Sequence, residues 1–213
     1  MVIRFRNRTE AGQMLAQHLT AYANRENVLV LGLPRGGVPV AFEVAKALNA
    51  PLDVCIVRKL GVPGQKELAM GAIASGGIGV LNYDVISTLG IDKEAVQVVA
   101  AEELQELQRR ERTYRSNAPP LNVKDKTVIL IDDGIATGST IRAAIAILKK
   151  HQPTTIVVAV PVAPASTYEE LQSEVDEIVC LQTPELLSAI GLWYEDFSQT
   201  TDEEVQEILD FRF

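Results

Sequence analysis

The chain has 213 residues, of which 47% are hydrophobic, 23% charged and 5% aromatic. This is the composition of an ordinary soluble enzyme, which buries about 70% of its unfolded surface without a disulfide or metal staple. The net charge of −8 argues against a binder of duplex nucleic acid, whose contact face is normally basic. It leaves room for one anion in a locally basic pocket.

Cysteine and histidine counts exclude several kinds of site. Cys55 and Cys180 lie in apolar runs, and His18 and His151 stand alone in candidate helices. A disulfide framework, a four-thiolate zinc site and a histidine-based triad are therefore excluded. The N-terminal residues have no signal-peptide apolar region, and no stretch approaches the about 20 apolar residues of a membrane span. We expect a cytoplasmic protein with neither a membrane nor a nucleic acid as partner.

Strands that are apolar on both faces alternate with helices along most of the chain. In chain order the pattern predicts a helix over about 10–24 capped by Thr9, a strand at 28–31, a helix over 38–49, a strand at 52–57 broken by 58–64, a strand at 127–131, a helix over 139–150, a strand at 156–160, a helix over 166–174 and a strand at 176–181. This alternation is typical of an α/β fold with a doubly wound, mainly parallel sheet.

Two segments interrupt the alternation. Apolar runs at 70–74 and 78–81 flank the Ser-Gly-Gly at 75–77 and predict a hairpin beside the main sheet. A long helix should follow from residue 92 to about 115, ended by the prolines at 119–120. A narrow apolar stripe favours packing of this helix on its own domain, with a lid or a homodimer contact as the alternative; the stripe consists of Val96, Val99, Ala100, Leu104 and Leu107.

The last segment, residues 182–213, is predicted to cover the open end of the sheet, and we call it the hood. Its closing helix begins with the capping-box spacing of 201–204. The predicted domains are therefore a core over 1–181, with an insert at about 70–118, and the hood over 182–213.

The most informative stretch is 128–140, where an apolar strand delivers Asp132 and Asp133 to the carboxyl edge of the sheet. The chain then turns into a helix, whose N-terminal amides and neighbouring hydroxyls make a cradle for phosphate. Because carboxylates do not attract phosphate, they must serve diol hydroxyls or a hydrated Mg²⁺. One ligand with a phosphate beside a ribose diol satisfies both halves. A Walker loop is excluded because Gly138 stands where its lysine belongs, and no G-x-G-x-x-G fingerprint is present.

These residues resemble the phosphoribosyl-diphosphate motif of the type I phosphoribosyltransferases, in which two acids after an apolar strand precede a small loop ending Thr-Gly. Residues 33–37 resemble the family's first diphosphate-contacting loop, and Arg58-Lys59 stands where the family has its second. The insert occupies the position of the family's flexible catalytic loop, and the hood resembles its base-selecting segment. As a whole the chain resembles a bacterial subgroup with a Trp-Tyr-x-Asp-Phe hood.

The resemblance implies a phosphoribosyltransferase that uses Mg²⁺, with phosphoribosyl diphosphate and a nucleobase-like acceptor as its partners. The residues it implies for catalysis are Asp132, Asp133, Arg35 and Lys59. Those implied for binding phosphoribosyl diphosphate are Asp132, Asp133, Gly134, Ile135, Ala136, Thr137, Gly138, Ser139 and Thr140. The implied diphosphate ligands are Arg35, Gly36, Gly37, Arg58 and Lys59, and the implied Mg²⁺ ligands are Asp132, Asp133 and Asp196.

The acceptor and the activity are less closely defined by the resemblance. Trp193 or Tyr194 would stack on the base, with an anchor joining the hood to the core as an equal alternative. Ala136 departs from the 6-oxopurine branch, which has an acid there, yet the hood at 190–197 faintly resembles that branch. A purine is therefore slightly favoured over a pyrimidine. The alternatives are a non-catalytic regulator that binds phosphoribosyl diphosphate, and hydrolysis or transfer to an unusual acceptor.

Overall fold

The structure is a computed structural model that describes residues 4–75, 79–115 and 121–211. Its strands are β1 (Val28–Gly32), β2 (Leu52–Val54), β3 (Val57–Val62), β4 (Gln65–Ala74), β5 (Gly79–Leu81), β6 (Thr127–Ile131), β7 (Thr155–Val162) and β8 (Glu177–Gln182). Its α-helices are α1 (Arg8–Gln17), α2 (Gly37–Leu48), α3 (Tyr83–Thr88), α4 (Lys93–Arg115), α5 (Ser139–Lys150), α6 (Ala165–Gln172) and α7 (Asp202–Asp210).

The chain forms two compact units. The first unit comprises Met1–Cys55, Leu121–Thr137 and Gln152–Phe213, and the second comprises Ile56–Pro120 and Gly138–His151. The predicted hood lies within the first unit, and the predicted insert lies within the second together with β3, the start of β4 and α5.

The first unit is built on a parallel sheet with the strand order β2-β1-β6-β7-β8. Every residue of β1 and β6 is buried, as expected for strands covered on both faces. Counted along the chain, the strands of this sheet are ordered 2-1-3-4-5, so the winding reverses between β1 and β6. The predicted α/β fold with a mainly parallel sheet is confirmed.

The first helix differs from its prediction at both ends. Asn7, rather than Thr9, caps α1, because its backbone is extended and its side chain accepts a hydrogen bond from the N–H of Glu10 at 3.0 Å. The Glu10 carboxylate in turn accepts from the N–H of Arg6 at 2.6 Å. The α-helix ends at Gln17, and a separate 3₁₀ turn follows at Thr20–Tyr22.

The second unit contains an antiparallel sheet of β3, β4 and β5. The described strands of the predicted hairpin pair as expected, while residues 76–78 of its turn and the prolines at 119–120 lie outside the described residues. The predicted break at 58–64 is wrong up to residue 62, because β3 pairs there with β4.

The long helix α4 packs on the sheet of its own unit. Its Val96, Val99 and Ala100 contact a cluster of Leu60, Val62 and Met70, and Asp92 caps it by accepting from the N–H of Ala95 at 2.7 Å. This packing accounts for the first three residues of the predicted apolar stripe. Across the described residues, no helix is both long and apolar enough to cross a membrane.

Candidate active site

The candidate site of the first unit lies at the point where the winding of the parallel sheet reverses. Gly32 at the end of β1 is in register with Ile131 at the end of β6, and the N–H of Leu33 donates to the carbonyl of Ile131 at 2.9 Å. The segments that follow the two strands therefore leave the sheet side by side. A crevice outside the carboxyl ends of strands at such a reversal is where ligands bind in open α/β sheets.

The turn after β1 packs directly against the two acids after β6. A Cβ on Gly36 would overlap Oδ2 of Asp133, and one on Gly37 would lie 2.7 Å from the carbonyl oxygen of Ile131 and 2.9 Å from Cα of Asp132. A side chain at residue 36 would therefore have to displace the Asp133 carboxylate or the turn itself. The Pro34–Arg35 peptide bond within the turn is cis. The predicted diphosphate turn and the predicted acidic pair are thus neighbours in the first unit.

Asp133 is held by contacts from two distant parts of the chain. Nε and a terminal nitrogen of Arg8 each lie 2.8 Å from its Oδ2, and the Tyr194 hydroxyl donates to its backbone carbonyl at 2.6 Å. Burial raises the pKa of the Asp133 carboxyl, and the Arg8 guanidinium opposes that rise. The neighbouring guanidinium favours the charged carboxylate.

Asp132 is partly buried, and its electrostatic environment differs from that of Asp133. Burial raises its pKa well above the ordinary value, and the adjacent Asp133 charge raises it further. Its Oδ1 accepts a hydrogen bond from the N–H of Asp133 at 2.9 Å. Of the two carboxyls, Asp132 therefore gains more from a ligand that brings hydrogen-bond donors or positive charge.

The rest of the predicted phosphate loop begins in the first unit. The N–H of Ile135 donates to the carbonyl of Val162 at 2.8 Å, which ties down the buried start of the loop. Ala136 and Thr137 are exposed. A Cβ on Gly134 would lie 2.6 Å from Cγ2 of Ile190 in the hood. The hood therefore packs directly against this end of the loop.

The second unit holds the remainder of the loop and two of the predicted diphosphate ligands. Gly138 is the N-cap of α5, so Ser139 and Thr140 stand in its first turn, where backbone amides favour anions. Nζ of Lys59 lies 3.2 Å from Oγ of Ser139 and 3.2 Å from Oε2 of Glu67. The structure therefore brings one predicted diphosphate ligand to the helix end predicted for phosphate.

Arg58 and Lys59 lie on strand β3, not on the loop that the resemblance implies. Pairing of β3 with β4 extends this strand past both residues. Arg58 contacts Glu103 of α4 at 2.6 Å. In the first unit, Arg35 has a weaker contact of 3.7 Å with Asp202 at the start of α7. Each of the three predicted cations thus faces a carboxylate of its own unit.

The hood residues occupy different environments. Tyr194 is 1% exposed and packs with the rings of Phe5 and Phe197, so its position favours the anchoring alternative over base stacking. Trp193 is half-buried beside the same cluster. Asp196 is exposed, and its Oδ1 accepts from the N–H of Ser198 at 2.9 Å; this backbone hydrogen bond lowers its pKa.

The predicted metal ligands do not form a protein-only metal site. Among the residues that the structure describes, no group of three or more histidine, cysteine, aspartate or glutamate side chains could hold a metal ion. Asp196 is therefore not joined to Asp132 and Asp133 in such a group.

Arg8 is the site residue that sequence reasoning missed. It belongs to the first turn of α1, and only folding brings it to Asp133. Its guanidinium carbon lies 4.0 Å from the centre of the Phe197 ring. An arginine in a basic N-terminal run carries no local signal that separates it from its exposed neighbour Arg6.

Comparisons with known proteins indicate the family of this chain. A family model described as "Phosphoribosyl transferase domain" matches residues 6–192. Two Mycobacterium tuberculosis proteins, named "Putative phosphoribosyl transferase MT0597" and "Putative phosphoribosyl transferase Rv0571c", are each 47% identical to this chain over 206 residues, or 97% of it. The chain spans 46% of the length of these curated relatives.

Solved structures share the fold. The crystal structure of TT1426 from Thermus thermophilus is 42% identical, with a TM-score of 0.89 over 97% of this chain and 98% of that one. The AQ2163 protein from Aquifex aeolicus is 14% identical, with a TM-score of 0.54 over 95% of this chain and 83% of that one. The second likeness concerns the fold alone.

Proposed function

We propose that this chain, which belongs to the phosphoribosyl transferase family, joins a nitrogenous base to C1 of phosphoribosyl diphosphate and releases diphosphate. The bond between C1 and the diphosphate oxygen breaks, a bond between C1 and a base nitrogen forms, and that nitrogen gives up its proton. The observation that carries the proposal is the contact between the turn at Gly36 and the acidic pair Asp132–Asp133. We infer that the turn would contact an anion and the acids would accept from ribose hydroxyls, at the reversal point of the sheet.

The acidic pair would act on the ribose. Carboxylate oxygens accept hydrogen bonds from the 2′- and 3′-hydroxyls, and their charge stabilises the positive charge that develops on the ring as diphosphate departs. Asp132 is the better placed to change its charge state on binding, because its pKa is raised by burial and by Asp133. Asp133, already paired with Arg8, would supply a fixed acceptor.

The cradle for the 5′-phosphate would be the loop that leads into α5. Its hydroxyls are those of Thr137, Ser139 and Thr140, and the first-turn amides of α5 add donors. The loop contains Gly138 rather than a bulkier residue at the N-cap. With the 5′-phosphate bound by this loop, the diphosphate would be bound by the other predicted ligands.

Diphosphate would bind to Arg35, to the amides of Gly36 and Gly37, and to Arg58 and Lys59. The Gly37 N–H donates to the carbonyl of Leu33 at 3.0 Å, so it would have to share or exchange that bond to reach diphosphate. Each of the three cations contacts a carboxylate, namely Asp202, Glu103 and Glu67. Binding would therefore exchange a carboxylate oxygen for a phosphate oxygen at each cation. Such charge-assisted contacts stabilise the leaving group most strongly in the transition state.

The residues of this site fit a Mg²⁺ ion that binds together with the substrate's diphosphate. Mg²⁺ commonly binds through one or two carboxylates together with substrate phosphates, and Oδ2 of Asp133 is already bonded to Arg8. Asp132 is the residue that would contribute to holding the ion. When bound, Mg²⁺ would neutralise charge on the departing diphosphate.

The acceptor is proposed to be a nucleobase, with a purine slightly favoured. Trp193 is half-buried in the hood and is the aromatic residue proposed to contact the base. Tyr194 is assigned the anchoring role, because its ring is enclosed by Phe5 and Phe197 and its hydroxyl is bonded to Asp133.

A transfer assay tests the proposal directly. Phosphoribosyl diphosphate labelled in the ribose is incubated with Mg²⁺ and single purine or pyrimidine bases, and nucleoside monophosphate and diphosphate are quantified. We expect equal amounts of both products, formed only with an accepted base and lost in Asp132→Asn/Asp133→Asn. The control variant Asp84→Asn changes an exposed acid of α3 and should retain activity. Diphosphate release without a base would contradict transfer, and binding without turnover would favour the regulator.

A further inference from the structure

Arg8 makes a buried, charge-assisted contact with Asp133 across a long stretch of sequence. Two of its nitrogens lie 2.8 Å from Oδ2 of Asp133, and each of the two side chains is 12% exposed. Hydrogen bonds between a guanidinium and a carboxylate are about twice as strong as neutral ones. Arg8 is therefore held far more firmly than a surface arginine.

The same guanidinium contacts the hood. Its carbon lies 4.0 Å from the centre of the Phe197 ring, and its third nitrogen donates to the carbonyl of Ser198 at 2.7 Å. Arginine combines a planar fork of donors with stacking on aromatic rings, and lysine does neither. The contact thus joins three partners through one rigid group.

Both nitrogens that reach Asp133 bond to the same oxygen. Oδ2 also lies where a side chain on Gly36 would begin, so Arg8 and the glycine turn together enclose it. The main chain of Asp133 is fixed as well, by the hydroxyl of Tyr194 at 2.6 Å.

We propose that Arg8 is a positioning residue that holds the Asp133 carboxylate in its ligand-binding orientation and makes that orientation depend on the hood. The inference rests on the proposed function, because it assigns Asp133 to the ribose. Arg8 acts through Asp133 and touches no substrate atom. Movement of Phe197 and Ser198 would be transmitted to Oδ2, so occupancy of the hood and binding at the acidic pair become coupled.

Substitution by lysine separates positioning from stability. Arg8→Lys keeps the positive charge but loses the fork and the stacking on Phe197. Replacing a residue that orients a metal-ligating group typically costs about 10- to 100-fold in affinity or activity, and we take the same range for Arg8. We expect Arg8→Lys to weaken calorimetric binding of phosphoribosyl diphosphate with Mg²⁺ by that factor. Arg6→Lys is the matched control, since the Arg6 side chain is 72% exposed and pairs with its near neighbour Glu10.

A double variant tests whether Arg8 acts through Asp133. If it does, Arg8→Lys should add little to the loss of affinity in an Asp133→Asn background. The effects of substituting two residues that act as a unit are not additive. Equal losses in both backgrounds would show that Arg8 contacts the ligand itself, and would overturn the positioning role. A lowered melting temperature with unchanged affinity would overturn it too.

A milder change keeps the test decisive if Arg8→Lys does not fold. Phe197→Leu removes the ring beneath the guanidinium while leaving the bonds to Asp133, and should weaken the same binding by a smaller factor. Unchanged affinity in Phe197→Leu would overturn the link to the hood. Absence of binding in the unsubstituted protein would contradict the proposed function, whereas binding that is insensitive to Arg8 and Phe197 would contradict only the role of Arg8.

Discussion

Gly36 and Asp133 lie so close together that a side chain at residue 36 would overlap the carboxylate oxygen Oδ2. The two residues follow neighbouring strands, β1 and β6, whose ends are in register. The turn proposed to bind an anion and the acid proposed to bind hydroxyls therefore form one surface. Substrate groups that meet the two would be held side by side.

Gly36→Ala should damage both stability and binding. The added Cβ must displace the turn or the Asp133 carboxylate, and overpacking of this kind costs about 1–3 kcal/mol. Urea unfolding should show that loss, and calorimetry should show weaker binding of phosphoribosyl diphosphate. Gly79→Ala is the control, because a Cβ there has its nearest neighbour at 3.4 Å, an ordinary contact. If Gly36→Ala matched the unsubstituted protein in both measurements, the close approach would be wrong.

Asp132→Asn should make the protein more stable at neutral pH while impairing its binding. Burial and the Asp133 charge raise the pKa of Asp132 in the folded state. The folded state therefore binds this proton more tightly than the unfolded chain, where the pKa of an aspartate is about 3.9. Asp132 consequently lowers stability as the pH rises from that value through its folded pKa. Asparagine removes the penalty and keeps an acceptor for the N–H of Asp133.

Thermal unfolding between pH 4 and pH 8 checks this prediction. Asp132→Asn should melt above the unsubstituted protein at pH 7, and the difference should shrink toward pH 4. Asp84→Asn changes an exposed acid and should show no such trend. A stability difference that did not vary with pH would contradict the electrostatic account of Asp132.

The parts of the site that could be predicted from the sequence are those within one continuous segment. The apolar run before Asp132 and Asp133 and the small residues after them make a local pattern, because a buried parallel strand and a helix N-terminus each have a sequence signature. The parallel sheet followed from several such runs. Its strand order, which places residues 33–37 beside the acids, was not predicted; only the family resemblance linked the two segments.

Contacts between distant segments could not be predicted. Arg8 and Asp133 are joined only by folding, and the sequence near Arg8 is that of an ordinary helix start. The extension of β3 over Arg58 and Lys59 depends on pairing with β4, which overrides the polar and glycine residues that predict a break. Tyr194 and Trp193 are adjacent in sequence, yet their different burial is decided by Phe5 and Phe197.

Lys59→Ala should lower turnover if Lys59 stabilises the leaving diphosphate. Removal of one donor to a developing negative charge typically lowers the rate about 10²- to 10³-fold. Steady-state kinetics with phosphoribosyl diphosphate and an accepted base would measure the change. Lys66→Ala, on the exposed start of β4, is the matched control. Equal turnover in the two variants would leave Lys59 a structural role only, as the ion-pair partner of Glu67 and a hydrogen-bond donor to Ser139.

Tyr194→Phe and Trp193→Leu should have separable effects. Tyr194→Phe leaves the buried carbonyl of Asp133 without its hydroxyl partner, which costs about 1–3 kcal/mol; urea unfolding should detect it. Trp193→Leu should instead weaken binding of the acceptor more than binding of phosphoribosyl diphosphate. Aromatic contacts add about 0.5–1.5 kcal/mol of binding free energy beyond burial. Loss of both affinities in step with the melting temperature would assign Trp193 to anchoring the hood.

The most direct test of the central claim is calorimetric titration of phosphoribosyl diphosphate with Mg²⁺ into the unsubstituted protein and into Asp132→Asn/Asp133→Asn. The unsubstituted protein should bind, and a hundredfold excess of ligand over its dissociation constant should stabilise the fold by about 2.7 kcal/mol. The double variant should remain folded and bind far more weakly. Equal affinity in the two proteins would show that these carboxylates do not hold the ribose, and would contradict the account.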